Sequence, residues 1–514
     1  MATRWQTFPI EFKGGLISNL SPLQQGLNAV GSATILQNFE PSRSGGYSKI
    51  RGYEKIDSAV VPGTGRVLGV KVVDPFKRVA ARSDGLGSPV TEYHISSGSG
   101  WTSLGKAANL GGKVRNATFN FGAGDFSLFV DGVNYPALLD HTAQTLTFLT
   151  SNSDLLAVSQ VGVFKNTVFF SKGSNLYFSS PSDAEDYSAA NGGGVINVSH
   201  EITGLISFRD QLIIFSRERI QRLTGNTIAD FQLSNITESI GCLDPDTIQE
   251  VGGDIMYMSP DGIRLLGATD RIGDFALEVA SDPISDDVAK FADSTSNFCS
   301  IVMRKKAQYR IFAYTQSEQS KVARGLIVTK FSDQGTQNLA WSEASGFKAY
   351  VADSRYTDDD ETVIFANEDG YVYKMDVGFS FDGEPIEAIY ESPYMPLTDP
   401  QVRKTFYKLT AYVDPLGSFD MDLSVKYDFT RANNQNLIQP ASQSMTSTGL
   451  SVFSFGGVKS VFGTATYGGE LDKVYNNSII GSGKTIAIRV EDNSTNPSFT
   501  LDTMLLEFAP NDRQ

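Results

Sequence analysis

The stretch VFKNTVFFSKGSNLYFS, residues 163–179, contains the pattern that decides the fold. A polar turn precedes the apolar run TVFF, a second polar turn follows it, and the segment LYFS comes next. Asn, Ser and Gly favour turns, whereas Val, Phe and Tyr favour strands. Because the run is continuously apolar rather than alternating, we expect its strand to be buried on both faces. The stretch therefore predicts antiparallel strands joined by tight turns.

The same order of turn, apolar run, turn and second strand recurs along the chain. Four stretches show it clearly: 163–179, 207–225, 250–267 and 357–376. Two earlier stretches, 78–96 and 126–139, show it loosely, and a seventh, 307–331, has the same hairpin form with a longer connection. Successive apolar runs lie about 40 to 55 residues apart, which is the repeat length of four-stranded propeller blades. The sequence therefore predicts an all-β fold with a β-propeller of six or seven blades, and a β-sandwich with many hairpins is the alternative.

Three regions differ in their pattern. We expect an N-terminal arm and lead-in segment over residues 1–61 and the β-propeller over residues 62–384. Residues 385–514 contain alternating strands at irregular spacing, which predicts a C-terminal antiparallel β-sandwich. Within it, residues 431–483 are rich in Asn, Ser, Thr and Gly, which predicts long exposed loops.

Only a few short helices are expected. One is a helical insertion near residues 281–294, which has two candidate cap residues and three apolar residues at helical spacing: Ser281 or Asp282, then Ile284, Val288 and Phe291. A second short helix, interrupted by its glycines, is predicted within residues 21–37.

Composition limits the classes of function. The 514 residues carry a formal net charge of −15, which argues against a protein that holds nucleic acid by neutralising its phosphates. Two cysteines, Cys242 and Cys299, exclude a disulfide framework and a Cys-rich zinc site. The N-terminal residues contain no apolar run of a secretory signal, and no stretch approaches the roughly 20 apolar residues of a membrane span. We therefore expect a protein that is made and kept in soluble form.

Motifs of catalysis are weak. The segment GSGKT, residues 481–485, matches the end of a phosphate-binding loop, but Ser478 stands where that pattern needs Gly, and the following IAIRVED predicts a strand instead of a helix. We therefore expect a hairpin turn there. His94, His141 and His200 lie in different repeats, and no second histidine stands at metal-ligand spacing.

Acidic turns are equally uninformative about chemistry. The run Asp358–Asp360 predicts a solvated loop, and SPDG (259–262) and NEDG (367–370) predict Asp-Gly turns. The sequence therefore predicts no enzymatic activity, no cofactor and no metal site.

The stretch NFEPSRSGGYSKIRGYEKI, residues 38–56, combines glycines, aromatic rings and cations in an acidic chain. Arginine, lysine and aromatic side chains together can contact nucleic acid. The same residues can also form a turn that leads into a first strand, with Tyr47 and Tyr53 as anchors. We favour the turn and expect the four basic residues to pair with acidic neighbours on this subunit or an adjoining one: Arg43, Lys49, Arg51 and Lys55.

Three segments together resemble one family. They are the N-terminal pattern FKGGLISNLSPLQQGLNAVGSATILQNFEPSRSGGYSKIRGYEKI, the motif NLYFSSPSDAEDYS at 175–188, and ITGLISFRDQLIIFSRERIQRLTGN at 202–226. They are similar to the tail nozzle, hub or stabilisation proteins of short-tailed bacteriophages, the tail tubular protein B-like family. The resemblance covers residues 10–380, and Tyr187 stands where many relatives have Trp.

The resemblance implies a structural virion protein located in the phage tail and synthesised in the host cytoplasm. It implies a homohexameric ring that docks below the portal and adaptor, extends the DNA ejection channel, carries tail fibres or spikes and meets the host envelope on infection. Genomic duplex DNA would pass through the lumen without specific binding. The family signature and possible subunit contacts fall on seven residues: Gly46, Tyr47, Arg51, Gly52, Tyr53, Asp186 and Tyr187.

Two other functions remain as alternatives. A carbohydrate-binding or glycan-cleaving β-propeller would use the acidic loops and the aromatic residues. A receptor-binding tail fibre protein would be a trimer instead of a hexamer.

Overall fold

The computed structural model of the protein describes residues 5–268, 275–295, 297–333, 336–357, 360–429, 442–446 and 473–511. Across these residues the chain is mostly β-strand, with two α-helices and six single turns of 3-10 helix. The prediction of an all-β fold with few short helices is confirmed. The 3-10 turns are Ser153–Leu155, Ala189–Asn191, Pro245–Thr247, Asp282–Ile284, Arg304–Lys306 and Ser320–Val322.

The N-terminal residues form five short strands and one helix. These are β1 (Gln6–Glu11), α1 (Pro22–Asn28), β2 (Ile35–Gln37), β3 (Phe39–Pro41), β4 (Tyr47–Lys49) and β5 (Tyr53–Lys55). Ser21 and Gln24 form a capping box at the start of α1. An interruption of this helix by glycine was predicted, but Gly26 lies inside α1 without breaking it. Gly26 is buried, and a Cβ there would come within 2.1 Å of the Tyr394 carbonyl oxygen.

Seven four-stranded units follow one another along the chain. Units 1 to 5 are antiparallel sheets in chain order, made of β6 (Thr64–Val72), β7 (Arg78–Ser83), β8 (Thr91–Ser96), β9 (Trp101–Lys106), β10 (Arg115–Phe119), β11 (Phe126–Val130), β12 (Ala137–Asp140), β13 (Thr145–Phe148), β14 (Gln160–Phe164), β15 (Thr167–Lys172), β16 (Asn175–Phe178), β17 (Gly194–Asn197), β18 (Ile202–Phe208), β19 (Gln211–Ser216), β20 (Ile220–Thr224), β21 (Gln232–Thr237), β22 (Gln249–Val251), β23 (Asp254–Ser259), β24 (Gly262–Ala268) and β25 (Phe275–Val279).

The last two units differ in how they are completed. Their strands are β26 (Phe298–Met303), β27 (Gln308–Ala313), β28 (Arg324–Asp333) and β29 (Thr336–Ser345) in unit 6, then β30 (Val351–Thr357), β31 (Asp360–Ala366) and β32 (Val372–Met375) in unit 7. The N-terminal strand β5 pairs with β32 and supplies the fourth strand of unit 7. Each of the seven hairpins predicted from the repeats lies on antiparallel strands of a separate unit.

Neighbouring units share hydrophobic cores. On β15, Val168 and Phe170 pack with Leu128 of unit 2, whereas Phe169 faces the other way and packs with Leu212 of unit 4. Successive side chains of a strand point to opposite faces of its sheet. The apolar run of the opening stretch is therefore buried on both faces, as its sequence predicts.

Two larger sheets contain the C-terminal strands. These strands are β33 (Ile386–Glu391), β34 (Lys404–Pro415), β35 (Asp420–Tyr427), β36 (Gln443–Thr446), β37 (Val474–Gly483), β38 (Ile486–Ser494) and β39 (Phe499–Pro510). One sheet has the order β3-β4-β39-β34-β37, with β1 also paired to β39. The other continues unit 6 through β2 into β33-β38-β35-β36. Side chains of both sheets share one hydrophobic cluster, which includes Leu409, Val425 and Leu506.

Two predictions about local elements need correction. β36 and the whole of β37 lie within residues 431–483, where exposed loops were expected; residues 430–441 and 447–472 lie outside the described residues. Helix α2 (Ser285–Ser294) buries Val288 and Phe291 as predicted, but Ile284 occupies its N-cap position. Ser281 instead accepts a hydrogen bond from the Ile263 amide at 3.0 Å. Among the helices of the described residues, none is long and apolar enough to cross a membrane.

Candidate functional site

A polar cavity of about 360 Å³ lies where the seven units come together. Each unit contributes residues of its first strand to the lining, from β6, β10, β14, β18, β22, β26 and β30. We call this space the polar cavity. Four of its lining side chains are cations and two are carboxylates: Lys71, Lys113, Arg115 and Arg304, with Asp246 and Asp353.

Asp246 is held by two of these cations. Arg115 donates from Nε and Nη2 to the two carboxylate oxygens at 2.8 and 2.9 Å, and Lys113 Nζ lies 3.0 Å from Oδ2. Burial alone would raise the pKa of the Asp246 carboxyl, but the charges of Lys113 and Arg115 lower this pKa to about 2. Lys113 also donates to the Phe298 carbonyl oxygen at 2.7 Å. This part of the cavity is therefore a compact ion cluster between units 2, 5 and 6.

The other two cations are less completely paired. Lys71 Nζ lies 3.3 Å from Asp353 Oδ1, while Asp353 Oδ2 accepts the Val72 amide at 2.8 Å. Arg304 donates from Nη1 to Ser354 Oγ at 3.0 Å and lies 3.3 Å from a Glu361 oxygen, and its side chain is 53% exposed. Both side chains thus keep N–H groups that none of these contacts uses.

Neutral polar groups complete the lining. Amide and hydroxyl side chains are present, and the described lining contains no aromatic ring: the neutral polar residues are Asn116, Thr118, Gln160, Gln249, Ser300 and Ser354. The Gln160 side chain makes no hydrogen bond with the described residues although the residue is only 8% exposed. The cavity is therefore equipped to hold a small polar anion, and it lacks the flat apolar surface that a base or a sugar face would stack on.

The predicted signature residues lie elsewhere, in β4, β5 and the turns beside them. Tyr47 is buried, accepts a hydrogen bond from the Gly15 amide at 3.0 Å and donates one to the Gly31 carbonyl oxygen at 2.8 Å. Gly46 precedes it with φ +80°, and a Cβ there would lie 2.5 Å from the Leu501 carbonyl oxygen. This turn therefore requires glycine, both for its backbone conformation and for its contact with β39.

Tyr53 anchors the second half of the segment. Its ring stacks on Phe381 at a centroid distance of 5.1 Å, and its hydroxyl donates to the Gly346 carbonyl oxygen at 3.2 Å. A Cβ on Gly52 would lie 1.8 Å from the Ser380 carbonyl oxygen. Arg51, which precedes Gly52, is exposed and forms no hydrogen bond or ion pair with the described residues.

The four basic residues of the stretch divide into two pairs. Lys49 forms a buried ion pair with Asp492 at 2.9 Å, and Lys55 forms a partly exposed one with Asp382 at 2.7 Å. Arg43, like Arg51, is exposed and unpaired within the described part of the chain. Pairing with acidic neighbours of the same chain is thus confirmed for the two lysines alone.

An acidic residue of the same stretch, Glu40, makes a network that sequence reasoning missed. Its carboxylate accepts from Lys306 and Arg310 at 2.7 Å each and from Gln308 at 3.1 Å. Burial alone would raise the pKa of Glu40, but Lys306 and Arg310 hold it below its ordinary value. Glu40 thereby ties β3 to unit 6.

Asp186 and Tyr187 follow β16 in unit 3 and do not join the signature residues of β4 and β5. Asp186 accepts from Asn191 Nδ2 at 2.5 Å and from the Ser188 amide at 2.8 Å, and these bonds lower its pKa to about 2. Tyr187 packs on Phe170 at a centroid distance of 5.9 Å, and its buried hydroxyl has no partner among the described residues. Both residues shape one loop.

Ser127 and His141 lie as close together as the serine and histidine of a catalytic triad. Ser127 Oγ lies 2.8 Å from His141 Nε2, but the Arg355 guanidinium, instead of a carboxylate, lies 3.5 Å from Nδ1. Burial and Arg355 lower the pKa of His141 to about 4. Ser127 is fully buried, so this pair lacks both the orienting acid and the access of a catalytic triad.

The segment GSGKT is neither a phosphate loop nor the predicted hairpin. β37 ends at Gly483 and belongs to one C-terminal sheet, whereas β38 begins at Ile486 and belongs to the other. Asp428 accepts the Lys484 and Thr485 amides at 2.6 and 3.1 Å. A carboxylate thus satisfies the amides that a phosphate would need, and the turn is a crossing between sheets.

The acidic turns agree with their simpler interpretation where they are described. Gly262 and Gly370 both have positive φ in tight turns between antiparallel strands, as Asp-Gly turns require. Asp360 pairs with Lys305 at 2.7 Å, and Asp358 lies outside the described residues. Within the described ranges, no group of three or more His, Cys, Asp or Glu side chains is placed to hold a metal ion.

An exposed apolar patch covers the outer face of the sheet that ends in β37. Trp5 (58% exposed) lies on Tyr407 with a centroid distance of 4.1 Å, and Tyr412 pairs across the strands with Val474. Ile480 on β37 is 80% exposed. We call these five residues the outer apolar patch. The hydrogen-bonded polar pair Thr410 and Asn476 (2.9 Å) lies between Tyr412–Val474 and the other three residues, so the patch consists of two apolar groups on one sheet. Groups of exposed apolar side chains offer area for interaction with another protein.

The sequence did not reveal the polar cavity because its lining comes from seven separate segments. A signal was present in single residues, since Lys71 interrupts an otherwise apolar strand, VLGVKV. Comparison with known proteins adds no relative: no family model matches the chain, and no curated protein matches it.

Proposed function

We propose that the protein is a structural subunit of a short-tailed phage tail, the nozzle or hub ring below the portal and adaptor. In this role it extends the DNA ejection channel and supports tail fibres or spikes. The observation that carries the proposal is the run of seven consecutive four-stranded units, the last of them completed by β5 from the lead-in segment. The sequence resemblance over residues 10–380 supplies the family context.

The arrangement of units supports a seven-bladed β-propeller. The first strands of units 2, 3 and 4 contact one another in series, as do those of units 5, 6 and 7. β18 of unit 4 contacts the 3-10 turn Pro245–Thr247 that precedes β22, and Asn116 of β10 donates to the Val70 carbonyl oxygen of β6 at 3.4 Å. β30 of unit 7 also contacts β6 of unit 1, which joins the two ends of the series. Completion of the last blade by a strand from the other end of the chain is a way to close such a ring without a free edge. The two C-terminal sheets with their shared core support a β-sandwich attached to unit 6.

Two surface features support assembly into a ring. The outer apolar patch offers area for burial against another protein. Arg43 and Arg51 are exposed cations without partners in the described part of the chain. The full sequence has a net charge of −15. An adjoining subunit rich in carboxylates is a suitable partner for both.

Mass photometry of the purified protein, alone and with the adaptor and portal complex of the same phage, tests this proposal. We expect six copies bound per complex, or free hexamers. A protein that stays monomeric in both samples contradicts it. Duplex DNA binding at about 150 mM salt should be weak, because the net charge of −15 opposes the approach of phosphates. Tight binding with a steep salt dependence contradicts the conduit role.

The glycan-binding alternative finds partial support in the polar cavity, which has the hydrogen-bonding groups for hydroxyls but no aromatic ring in its described lining. A glycan array separates the two functions. Saturable binding of neutral oligosaccharides by a monomeric protein would favour the alternative. A trimer in the same sizing experiment would favour the receptor-binding fibre.

A further inference from the structure

We propose that the polar cavity binds a small hydroxylated molecule that carries a phosphate group, with Lys71 and Arg304 as the charged ligands. This inference does not depend on the proposed role in a tail. It rests on the charge inside the cavity, on the unused donors of its lining and on its size.

The first argument is charge. The cavity lining has four cations and two carboxylates, in a chain whose overall charge is −15. Asp246 is shared by Lys113 and Arg115, and Asp353 serves Lys71. Glu361 contacts Arg304 from outside the lining, and Asp244 lies behind Asp246 without lining the cavity. Positive charge concentrated in a partly enclosed space favours an anion there, because the low dielectric strengthens the attraction.

The second argument is hydrogen-bonding capacity. An ammonium group has three N–H donors, and the Lys71 ammonium has one partner among the described residues, Asp353 at 3.3 Å. Arg304 uses Nη1 for Ser354 and Glu361, so its Nη2 is available. Gln160, a residue that is 8% exposed, lines the same space, and its side-chain amide makes no hydrogen bond with the described residues. Its amide atoms are not sealed from the cavity, so they keep donor and acceptor capacity that a ligand group can use.

The third argument is size and surface. A volume of about 360 Å³ lies at the lower end of the range for small-molecule sites and is far too small for a nucleic-acid duplex. Thr118, Ser300 and Gln249 each make one hydrogen bond inside the protein, to Ser127 Oγ, to the Asp246 carbonyl oxygen and to the Ser300 carbonyl oxygen. Their oxygen atoms keep acceptor capacity that suits the hydroxyls of a polyol, and the described lining offers no ring for stacking a base. A phosphorylated polyol therefore fits better than a nucleotide.

Isothermal titration calorimetry of the full chain tests the site with three probes at low ionic strength. These are glycerol 3-phosphate, inorganic phosphate and glycerol. We expect saturable binding of both phosphates, tighter for glycerol 3-phosphate, and no binding of glycerol. Binding of inorganic phosphate as tightly as the ester means that the site recognises the oxyanion alone and overturns the polyol part. No saturable binding of either phosphate overturns the proposal.

Variants assign the binding to this cavity. Lys71→Gln and Arg304→Gln should each weaken binding by about tenfold, since each removes a charge-assisted hydrogen bond. Lys290→Gln, which removes an exposed charge on α2, should leave binding unchanged. If a variant fails to fold, the wild-type chain still tests the assignment through the phosphorus NMR line broadening of glycerol 3-phosphate. Duplex DNA is too large to enter the cavity, so it should not reverse this broadening. Reversal by duplex DNA would place the phosphate on an outer surface and overturn the assignment. Binding that is unchanged in both folded variants also overturns the assignment.

Discussion

The seven four-stranded units and the two C-terminal sheets are both largely antiparallel, yet they are assembled in opposite ways. In units 1 to 5, strands that are consecutive in sequence are neighbours in the sheet. In the C-terminal sheets, β39 pairs with β1 and β4 from the other end of the chain, and β33 pairs with β2. The first arrangement depends on local turns, whereas the second depends on contacts that join distant segments. The four predictions that follow measure how strongly those distant contacts hold the molecule together.

The largest effect is expected at the buried ion pair that joins the two ends of the chain. Lys49→Met leaves Asp492 as an unpaired buried carboxylate, which should lower the free energy of unfolding by about 3 to 5 kcal/mol in urea melts. Burial lowers the pKa of Lys49 and raises that of Asp492, so neither charge is stable there alone. Lys55→Met removes a partly exposed pair and should cost less than about 1 kcal/mol.

Both lysine pairs join residues far apart in the sequence, so equal losses in the two variants would contradict the weight given to burial of the Lys49–Asp492 pair. The double variant Lys49→Met with Asp492→Leu should recover most of the lost stability, because no unpaired charge remains.

The next effect concerns the turn that brings β4 against β39. Gly46→Ala should destabilise the protein by about 2 to 4 kcal/mol, because it adds strain at positive φ and a clash with the Leu501 carbonyl oxygen. Gly45→Ala is the matched control: its φ is also positive, at +99°, but a Cβ there meets nothing within 4 Å. It should cost about 1 to 2 kcal/mol. Thermal unfolding of both variants measures the difference, and a larger loss for Gly45→Ala would refute the contact.

A third effect probes the units instead of the chain ends. The pKa of Asp246 is about 2 in the folded protein and 3.8 in an ordinary environment, so the unfolded chain binds this proton first as the pH falls. The contribution of the Asp246 carboxylate to the free energy of unfolding is therefore complete above about pH 4. This contribution falls by about 2 kcal/mol as the pH falls towards 2. The stability gap between the wild type and Asp246→Asn should shrink over this window. A constant gap for Asp246→Asn would contradict the ion cluster.

The smallest effect is expected within one local loop. Tyr187→Phe removes a buried hydroxyl that has no partner in the described residues, so stability should change by less than about 0.5 kcal/mol or rise slightly. Tyr47→Phe removes a hydroxyl with two hydrogen bonds to distant backbone groups and should cost about 1 to 3 kcal/mol. Equal effects in urea melts would remove the contrast between local and distant contacts.

The same contrast explains what the sequence could predict. Val168 to Phe170 form a continuous apolar run between turn residues, and that pattern depends on a few neighbouring positions, so the hairpins were predicted correctly. The partners of Lys49 and Glu40 lie hundreds of residues away, and no local pattern encodes such pairings. The prediction of a hairpin at GSGKT is wrong, because turn residues do not reveal whether the following strand joins the same sheet.

The polar cavity falls between these cases. Its residues occupy the first strands of the units, which the repeat pattern located, but their convergence depends on how the units are arranged around one another. A polar residue within an apolar strand, such as Lys71 in VLGVKV, is the sequence signal for a shared interior surface. The signal becomes interpretable only once the seven first strands are known to meet.

The central claim is that this chain is a ring-forming tail subunit built on a seven-bladed propeller. Cryo-electron microscopy of the protein bound to the adaptor and portal complex of its phage tests it most directly. The account predicts six copies around an open channel, each with seven blades and with β5 in the last blade. A monomeric or trimeric particle that does not dock on the adaptor, or a unit series that does not close, would contradict it.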